Sequence, residues 1–247
     1  NRLDSDRRCY GFFHPRLPNE PLIFVEVALV DSISSSITPL LDEAAAPTDI
    51  SRASTAIFYS ISNTQTGLRG VSFGDSLIKH VVETLCAEFP RLRTFATLSP
   101  IPGFRAWLGK NAPAMLNRFS DKQRAELARE VGAEPLQAPA LLAAADKALA
   151  LEPKSALRQW LLQCAAHYLA RELPDGKPID PVARFHLGNG ARVERLNWAG
   201  DPSSKGQKQS YGLMVNYLYD LKRIDKHRSL LAQGKVPASK DIESLCP

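Results

Sequence analysis

The apolar positions of this chain change period several times, and each change marks an element. Cys9-Tyr10-Gly11-Phe12-Phe13 is aromatic-rich, and the run from Leu22 to Val30 is almost wholly apolar, as a buried strand requires. Pro15, Pro18, Asn19 and Pro21 lie between them, so the two runs predict a hairpin. Residues 42–54 are rich in Ala, Pro, Asp and Ser and predict a surface excursion. Residues 56–62 predict another strand, and the polar stretch after it ends on Gly67, where the chain leaves the sheet. From Gly74 the period becomes helical. Leu77, Ile78, Val81, Val82, Leu85 and Phe89 share one face, and Pro90 stops the pattern. Residues 93–98 predict the next strand, which completes a strand, loop, helix, strand unit.

Composition then shifts toward Ala, Leu, Gln, Lys and Arg. Trp107, Leu108, Met115, Leu116, Leu127, Leu141, Leu157, Trp160, Leu161 and Tyr168 recur at helical spacings, broken at Pro113, Pro135, Pro139 and Pro153. Three to five helices are expected here. Residues 180–201 return to strand and turn character around Phe185-His186-Leu187-Gly188-Asn189-Gly190, where Asn-Gly is a hairpin signal. Residues 212–221 are apolar and aromatic, and the basic tail after Lys222 is expected to be helical. The expected class is α+β: a twisted mixed β-sheet flanked by helices, with a helical insertion at about 105–175.

Bulk properties narrow the chemistry. A chain of 247 residues with 44% hydrophobic content supports one sizeable core. No apolar run reaches the roughly 18 residues needed to cross a bilayer. The first residues show neither a signal-peptide core nor a transit-peptide bias. The four cysteines, Cys9, Cys86, Cys164 and Cys246, form no Cys-x-x-Cys pair, so neither a zinc site nor a disulfide framework is indicated. They fit a reducing compartment, and a cytoplasmic location is expected. His80 and Glu83 lie one helical turn apart with no third ligand evident, so no metal is expected. Net charge is +5 and the pI about 9.1. That suits a polyanionic ligand, but the basic residues form no block of five or six.

The chemistry concentrates between residues 69 and 104. Arg69-Gly70-Val71-Ser72-Phe73-Gly74 opens the first amphipathic helix. Its glycines leave N–H groups able to point at an anion, and the helix start adds partial positive charge. It is neither a P-loop nor a dinucleotide fingerprint. One strand later comes Leu98-Ser99-Pro100-Ile101-Pro102-Gly103-Phe104, with Ser99 on a stiff turn. A phosphate cradle and a polar side chain one strand apart suit a large phosphorylated carrier that is acted on at its tip. Coenzyme A, with its pyrophosphate and 3′-phosphate, is such a carrier.

Arg69-Gly70-x-x-x-Gly74 resembles the coenzyme A pyrophosphate loop of the GNAT-type N-acetyltransferase superfamily, with Ser72 where that pattern has its first glycine. The wider text resembles one branch, the malonyl-CoA decarboxylases. The matching segments begin with Asp6-Arg7-Arg8-Cys9-Tyr10-x-Phe12-Phe13-His14, Glu20-Pro21-Leu22-Ile23-Phe24-Val25 and Phe58-Tyr59-Ser60-Ile61-Ser62. They continue with 98–104, Phe185-His186-Leu187-x-Asn189-Gly190-Ala191 and Gly212-Leu213-Met214-x-Asn216-Tyr217. The resemblance implies an acetyltransferase-like fold and a single acyl-CoA-binding catalytic domain over 1–247. It implies conversion of malonyl-CoA to acetyl-CoA and CO2, in fatty acid metabolism, and catalytic roles for Ser99 and His186. Arg69, Gly70, Val71, Ser72, Phe73, Gly74 and Asp75 would bind the substrate together with that pair. Coenzyme A is then part of the substrate and no further cofactor is implied. A homo-oligomer is implied, with neither nucleic acid nor membrane as partner. Members carry a further helical domain before this region, so the chain is expected to be the catalytic part.

The reaction can be argued from first principles. Loss of CO2 from a β-carboxy thioester leaves an enolate, for which the thioester carbonyl is the electron sink. The protein must hold the carboxylate out of the carbonyl plane, offer donors to the enolate oxygen and deliver a proton to carbon. Ser99 suits the first two tasks and His186 the proton. Asn63 and Gln65 are candidates for touching the acyl-pantetheine arm, and Asn216 and Tyr217 for lining the site. Lys222, Arg223, Lys226 and Arg228 are candidates for a 3′-phosphate, or a solvated helix face. Two other functions stay open: an acyl-CoA-dependent N-acetyltransferase on the same fold, and a basic nucleic-acid-binding domain.

Overall fold

The computed structural model describes residues 4–63 and 74–246. Strands β1 (Arg7–His14) and β2 (Leu17–Val30) form the expected antiparallel hairpin. Its connection is shorter than the proline-rich stretch suggested, because His14 already pairs with Leu17 and accepts the Arg16 amide on Nδ1 at 3.1 Å. Strand β3 (Thr55–Asn63) pairs antiparallel with β2, and β4 (Thr94–Thr97) runs parallel to β3. Helix α2 (Gly74–Glu88) makes the crossover. The excursion between β2 and β3 carries a four-residue helix, α1 (Thr38–Leu41), and is mostly exposed.

Two-residue strand β5 (Ser99–Pro100), then β6 (Arg192–Asn197) and β7 (Met214–Leu218), complete a seven-stranded mixed sheet. The order is β1-β2-β3-β4-β7-β5, with β6 also on β7. The sheet is covered on both sides. Leu77, Ile78, Val81, Val82 and Leu85 of α2 join the main core with Ile23, Val25 and Phe58. Ala28, Ile57, Ala96, Leu98 and Met214 pack with Leu40 of α1 in a second cluster.

The chain forks after Leu98. The last bond between the parallel strands is from the Leu98 amide to the Phe58 carbonyl, 3.1 Å. β3 then continues with β2, while Ser99 turns onto β7 and pairs with Val215. Asn216, fully buried, holds the fork. Its Nδ2 donates to the Thr97 carbonyl at 2.7 Å and to the Ser34 carbonyl at 3.0 Å, and its Oδ1 accepts from Asn197 at 2.8 Å. Asn216 is therefore a structural latch between β7, β4 and the α1 excursion.

Four helices occupy the Ala/Leu-rich region: α3 (Phe104–Leu116), α4 (Asp121–Val131), α5 (Ala138–Ala145) and α6 (Ala156–Ala170). Ser120 and Gln123 cap α4 reciprocally. Trp160, Leu161, Phe104 and Leu108 are fully buried among them. Residues 181–188 are not strand and turn but helix α7 (Pro181–Gly188). Asp180 caps it and Pro181 occupies its first turn, where a missing N–H costs nothing. The Asn189-Gly190 pair closes this helix rather than a hairpin. Gly190 has φ +84°, and a Cβ there would lie 2.6 Å from Ile224 Cγ2, so only glycine fits. Helices α8 (Ser204–Ser210), α9 (Ile224–Ala232) and α10 (Lys240–Leu245) follow, and the tail is helical as expected.

The latch makes a stability prediction. Asn216→Ala leaves the Thr97 and Ser34 carbonyls short of a donor, and should lower unfolding free energy by about 2–3 kcal/mol. Urea unfolding checks it; a loss within about 0.5 kcal/mol would mean the fork is held otherwise.

Candidate functional site

Ser99 and His186 come from β5 and α7, and the fold brings them together. Ser99 Oγ lies 3.3 Å from His186 Nε2. Both are buried, at 5% and 4% exposure. On its other side Ser99 Oγ–H donates to Thr97 Oγ1 at 2.8 Å. Thr97 Oγ1 also receives the Tyr217 amide at 3.1 Å. On the far side of the imidazole, Nδ1 lies 2.8 Å from the Tyr219 hydroxyl. The ring of Tyr217 stacks on His186 with centroids 4.8 Å apart.

These contacts assign the proton positions. A serine hydroxyl has one hydrogen, and that of Ser99 goes to Thr97. The Ser99–His186 bond is then donated by Nε2–H. Burial lowers the His186 pKa from 6.5 to about 3, so the ring is neutral near pH 7 and Nδ1 carries no hydrogen. Nδ1 accepts from Tyr219, whose own pKa burial raises, which keeps its hydroxyl protonated. The chain of donors runs from Tyr219 through His186 and Ser99 to Thr97. Arranged this way, the pair can offer hydrogen bonds and a proton, but the serine is not activated as a nucleophile.

A cavity of about 450 Å³ opens beside this chain of donors. Ile78, Val82 and Cys86 of α2 line it, with Asn189, Tyr219 and Ile224 opposite. Tyr219 joins the cavity to the imidazole. Arg228 also lines it, which sets that residue apart from the exposed Lys222, Arg223 and Lys226. Among the described residues, no group of three or more His, Cys, Asp or Glu could hold a metal ion, and no helix is long and apolar enough to cross a membrane.

The other sequence candidates divide. Arg69, Gly70, Val71, Ser72 and Phe73 lie outside the described residues, as does Gln65. Gly74 and Asp75 begin α2, and Asn63 ends β3; their side chains lie outside the description. Thr97, Tyr219 and Asp180 were missed. Strand alternation held a signal for the first two, since Thr97 with Ser99 and Tyr217 with Tyr219 fall at i, i+2 and share a face. Asp180 stands before Pro181, a helix-start signature.

Comparison with known proteins identifies the family. The family model described as the malonyl-CoA decarboxylase C-terminal domain matches residues 1–247. The mitochondrial malonyl-CoA decarboxylase of Rattus norvegicus is 40% identical over 260 residues, covering 99% of this chain and 52% of the relative. A crystal structure of malonyl-CoA decarboxylase from Cupriavidus metallidurans superposes with a TM-score of 0.88 at 48% identity, over 99% of this chain and 60% of that one. One from Rhodopseudomonas palustris gives 0.82 at 47%, over 98% and 53%. The chain thus spans about half the length of the relatives it matches. On the full-length family match and these identities, the chain belongs to the malonyl-CoA decarboxylase family, as its C-terminal domain.

Proposed function

We propose that this domain carries out the decarboxylation of malonyl-CoA to acetyl-CoA and CO2. The observation that carries the reading is the buried contact between Ser99 Oγ and a neutral His186 at the strand fork. The bond between the carboxylate carbon and the α-carbon breaks. Its electron pair moves to the thioester carbonyl and CO2 leaves. In this reading the substrate displaces the resting bonds: Ser99 O–H turns from Thr97, and Nε2–H from Ser99, toward the enolate oxygen. The enolate carbon then takes the Nε2 proton while Nδ1 takes the Tyr219 proton. As product leaves, Nε2 takes a proton from solvent and Nδ1 returns its own to Tyr219, which restores the starting tautomer.

Neutrality favours this direction. An imidazolium would pair with the substrate carboxylate and stabilise the ground state. A neutral, desolvated pocket stabilises the dispersed charge of the transition state relative to the compact carboxylate. Residues 69–75 hold the pyrophosphate in this reading, at the start of α2. No cofactor beyond the coenzyme A of the substrate is needed for the chemistry. The proposal includes a homo-oligomer, supported by the family resemblance, and a cytoplasmic location, supported by the wide scatter of the four cysteines along the sequence.

Kinetics, NMR and pH-dependent stability test it. In the intact protein, Ser99→Ala and His186→Ala should each lower kcat for CO2 release from malonyl-CoA by about 100-fold or more; unchanged rates in both would sink the assignment. Amine acetylation without CO2 release would replace it with acyl transfer. Tyr219→Phe should lower kcat by about tenfold, with KM within about twofold. The His186 ring should stay neutral by ¹⁵N NMR from pH 8 to pH 5, and a ring titrating near its ordinary value contradicts the proton assignment. The sign for stability is fixed too. A lowered folded pKa means the unfolded chain binds the proton first. The contribution is full above about pH 6.5 and is lost as pH falls toward 3.

A further inference from the structure

Ser99 and His186 are 87 residues apart in the chain, yet one carboxylate caps the helix of the second and holds a tyrosine hydroxyl that packs on the turn after the first. Asp180, 1% exposed, caps α7. Its Oδ1 accepts the amides of Val182 and Ala183, both at 2.9 Å. Its Oδ2 accepts the Tyr168 hydroxyl of α6 at 3.2 Å. The Gly103 amide, four residues after Ser99, also acts to favour the ionised carboxylate. A Cβ on Gly103 would collide with the Tyr168 hydroxyl and sit 3.9 Å from Asp180 Oδ2. Glycine is what lets the turn after Ser99 approach the carboxylate.

Capping alone does not need this arrangement. Four other helices, α4, α6, α8 and α10, are capped by serines: Ser120, Ser155, Ser203 and Ser239. A serine cap has one oxygen, and burying a carboxylate is costly. Burial indeed raises the pKa of Asp180. The second oxygen is what distinguishes it, and it holds the Tyr168 hydroxyl against which Gly103, in the turn after Ser99, packs.

We propose that Asp180 is a positioning residue that sets the Ser99–His186 separation: Oδ1 holds the helix start before His186, and Oδ2 holds the Tyr168 hydroxyl on which the turn after Ser99 packs. The arms from this anchor are short and stiff. His186 lies six residues along α7, about 9 Å of helix. Ser99 is joined to Gly103 through Pro100 and Pro102, whose φ angles are fixed. A shift at the anchor therefore moves the reacting pair, and a misplacement of about 1 Å costs about 100-fold in rate. The proposal rests on the reading of Ser99 and His186 as the reacting pair.

A double-mutant cycle in the intact protein, assayed with malonyl-CoA, tests it. Asp180→Ser keeps a cap on α7 but gives up the second oxygen. Folded Asp180→Ser should lose about 10- to 100-fold in kcat, with KM within about twofold. In the Ser99→Ala background the same change should cost under about twofold, because the pair it aligns is gone. An unchanged kcat, or an equal loss in both backgrounds, overturns the proposal. If Asp180→Ser fails to fold, Tyr168→Phe is put through the same cycle. It should lose about threefold in kcat in the wild-type background alone, and an unchanged kcat or an equal loss in both overturns the proposal. Wild-type kcat in both Ser99→Ala and His186→Ala would instead refute the functional reading.

Discussion

A parallel strand pair that ends after four residues is the constraint on which the rest of this structure depends. β3 and β4 share a ladder only over 55–58 and 94–97. Past the Leu98 amide, the backbone and hydroxyl groups around the fork must find other partners, because buried polar groups left unpaired are costly. β7 supplies them: a side-chain amide for the Thr97 carbonyl, a backbone N–H for the Thr97 hydroxyl, and a short ladder for Ser99. Each substitute for the lost ladder also fixes a site residue. Thr97 orients Ser99, and β7 carries Tyr217 onto the imidazole face.

The electrostatics follow from the same packing. His186 is pressed between the ring of Tyr217 and its bonds to Ser99 and Tyr219, and burial alone drives its pKa down. In water the imidazole would be a pH-sensitive base. Here it is a neutral link that passes hydrogen bonds in one direction, because Ser99 has already given its hydrogen to Thr97. The consequence separates this pair from a nucleophilic serine, which would need its proton to go to the ring rather than away from it.

Much of this was legible in the sequence, for identifiable reasons. The β1–β2 hairpin, α2 and the helices of the Ala/Leu-rich region announce themselves by long, regular apolar periods. Ser99 was legible as a residue on a stiff segment, since two prolines and a glycine follow it. Its pairing with Val215 was not, because two-residue strands carry no period. Tyr219 was legible only as an apolar-run aromatic; its partner is 33 residues away, and no local pattern encodes such a contact. The expectation that residues 69–73 bind phosphate rests on the motif alone.

The misreading of residues 181–188 shows what decided the local structure. Phe185-His186-Leu187 followed by Asn-Gly has the composition of a strand and turn, and in a strand His186 would face away from both neighbours. The observed burial follows another rule: Ala183, His186 and Leu187 are buried while Arg184 and Gly188 are exposed, the i, i+3, i+4 pattern of a helix. Asp180-Pro181 starts that helix, and a side chain that accepts two amides offsets the orphan donors of its first turn. Helical geometry is what allows the imidazole to be buried beside Leu187, with Nε2 toward Ser99 and Nδ1 toward Tyr219. A strand here would have placed the histidine in the same motif and left it without the pair.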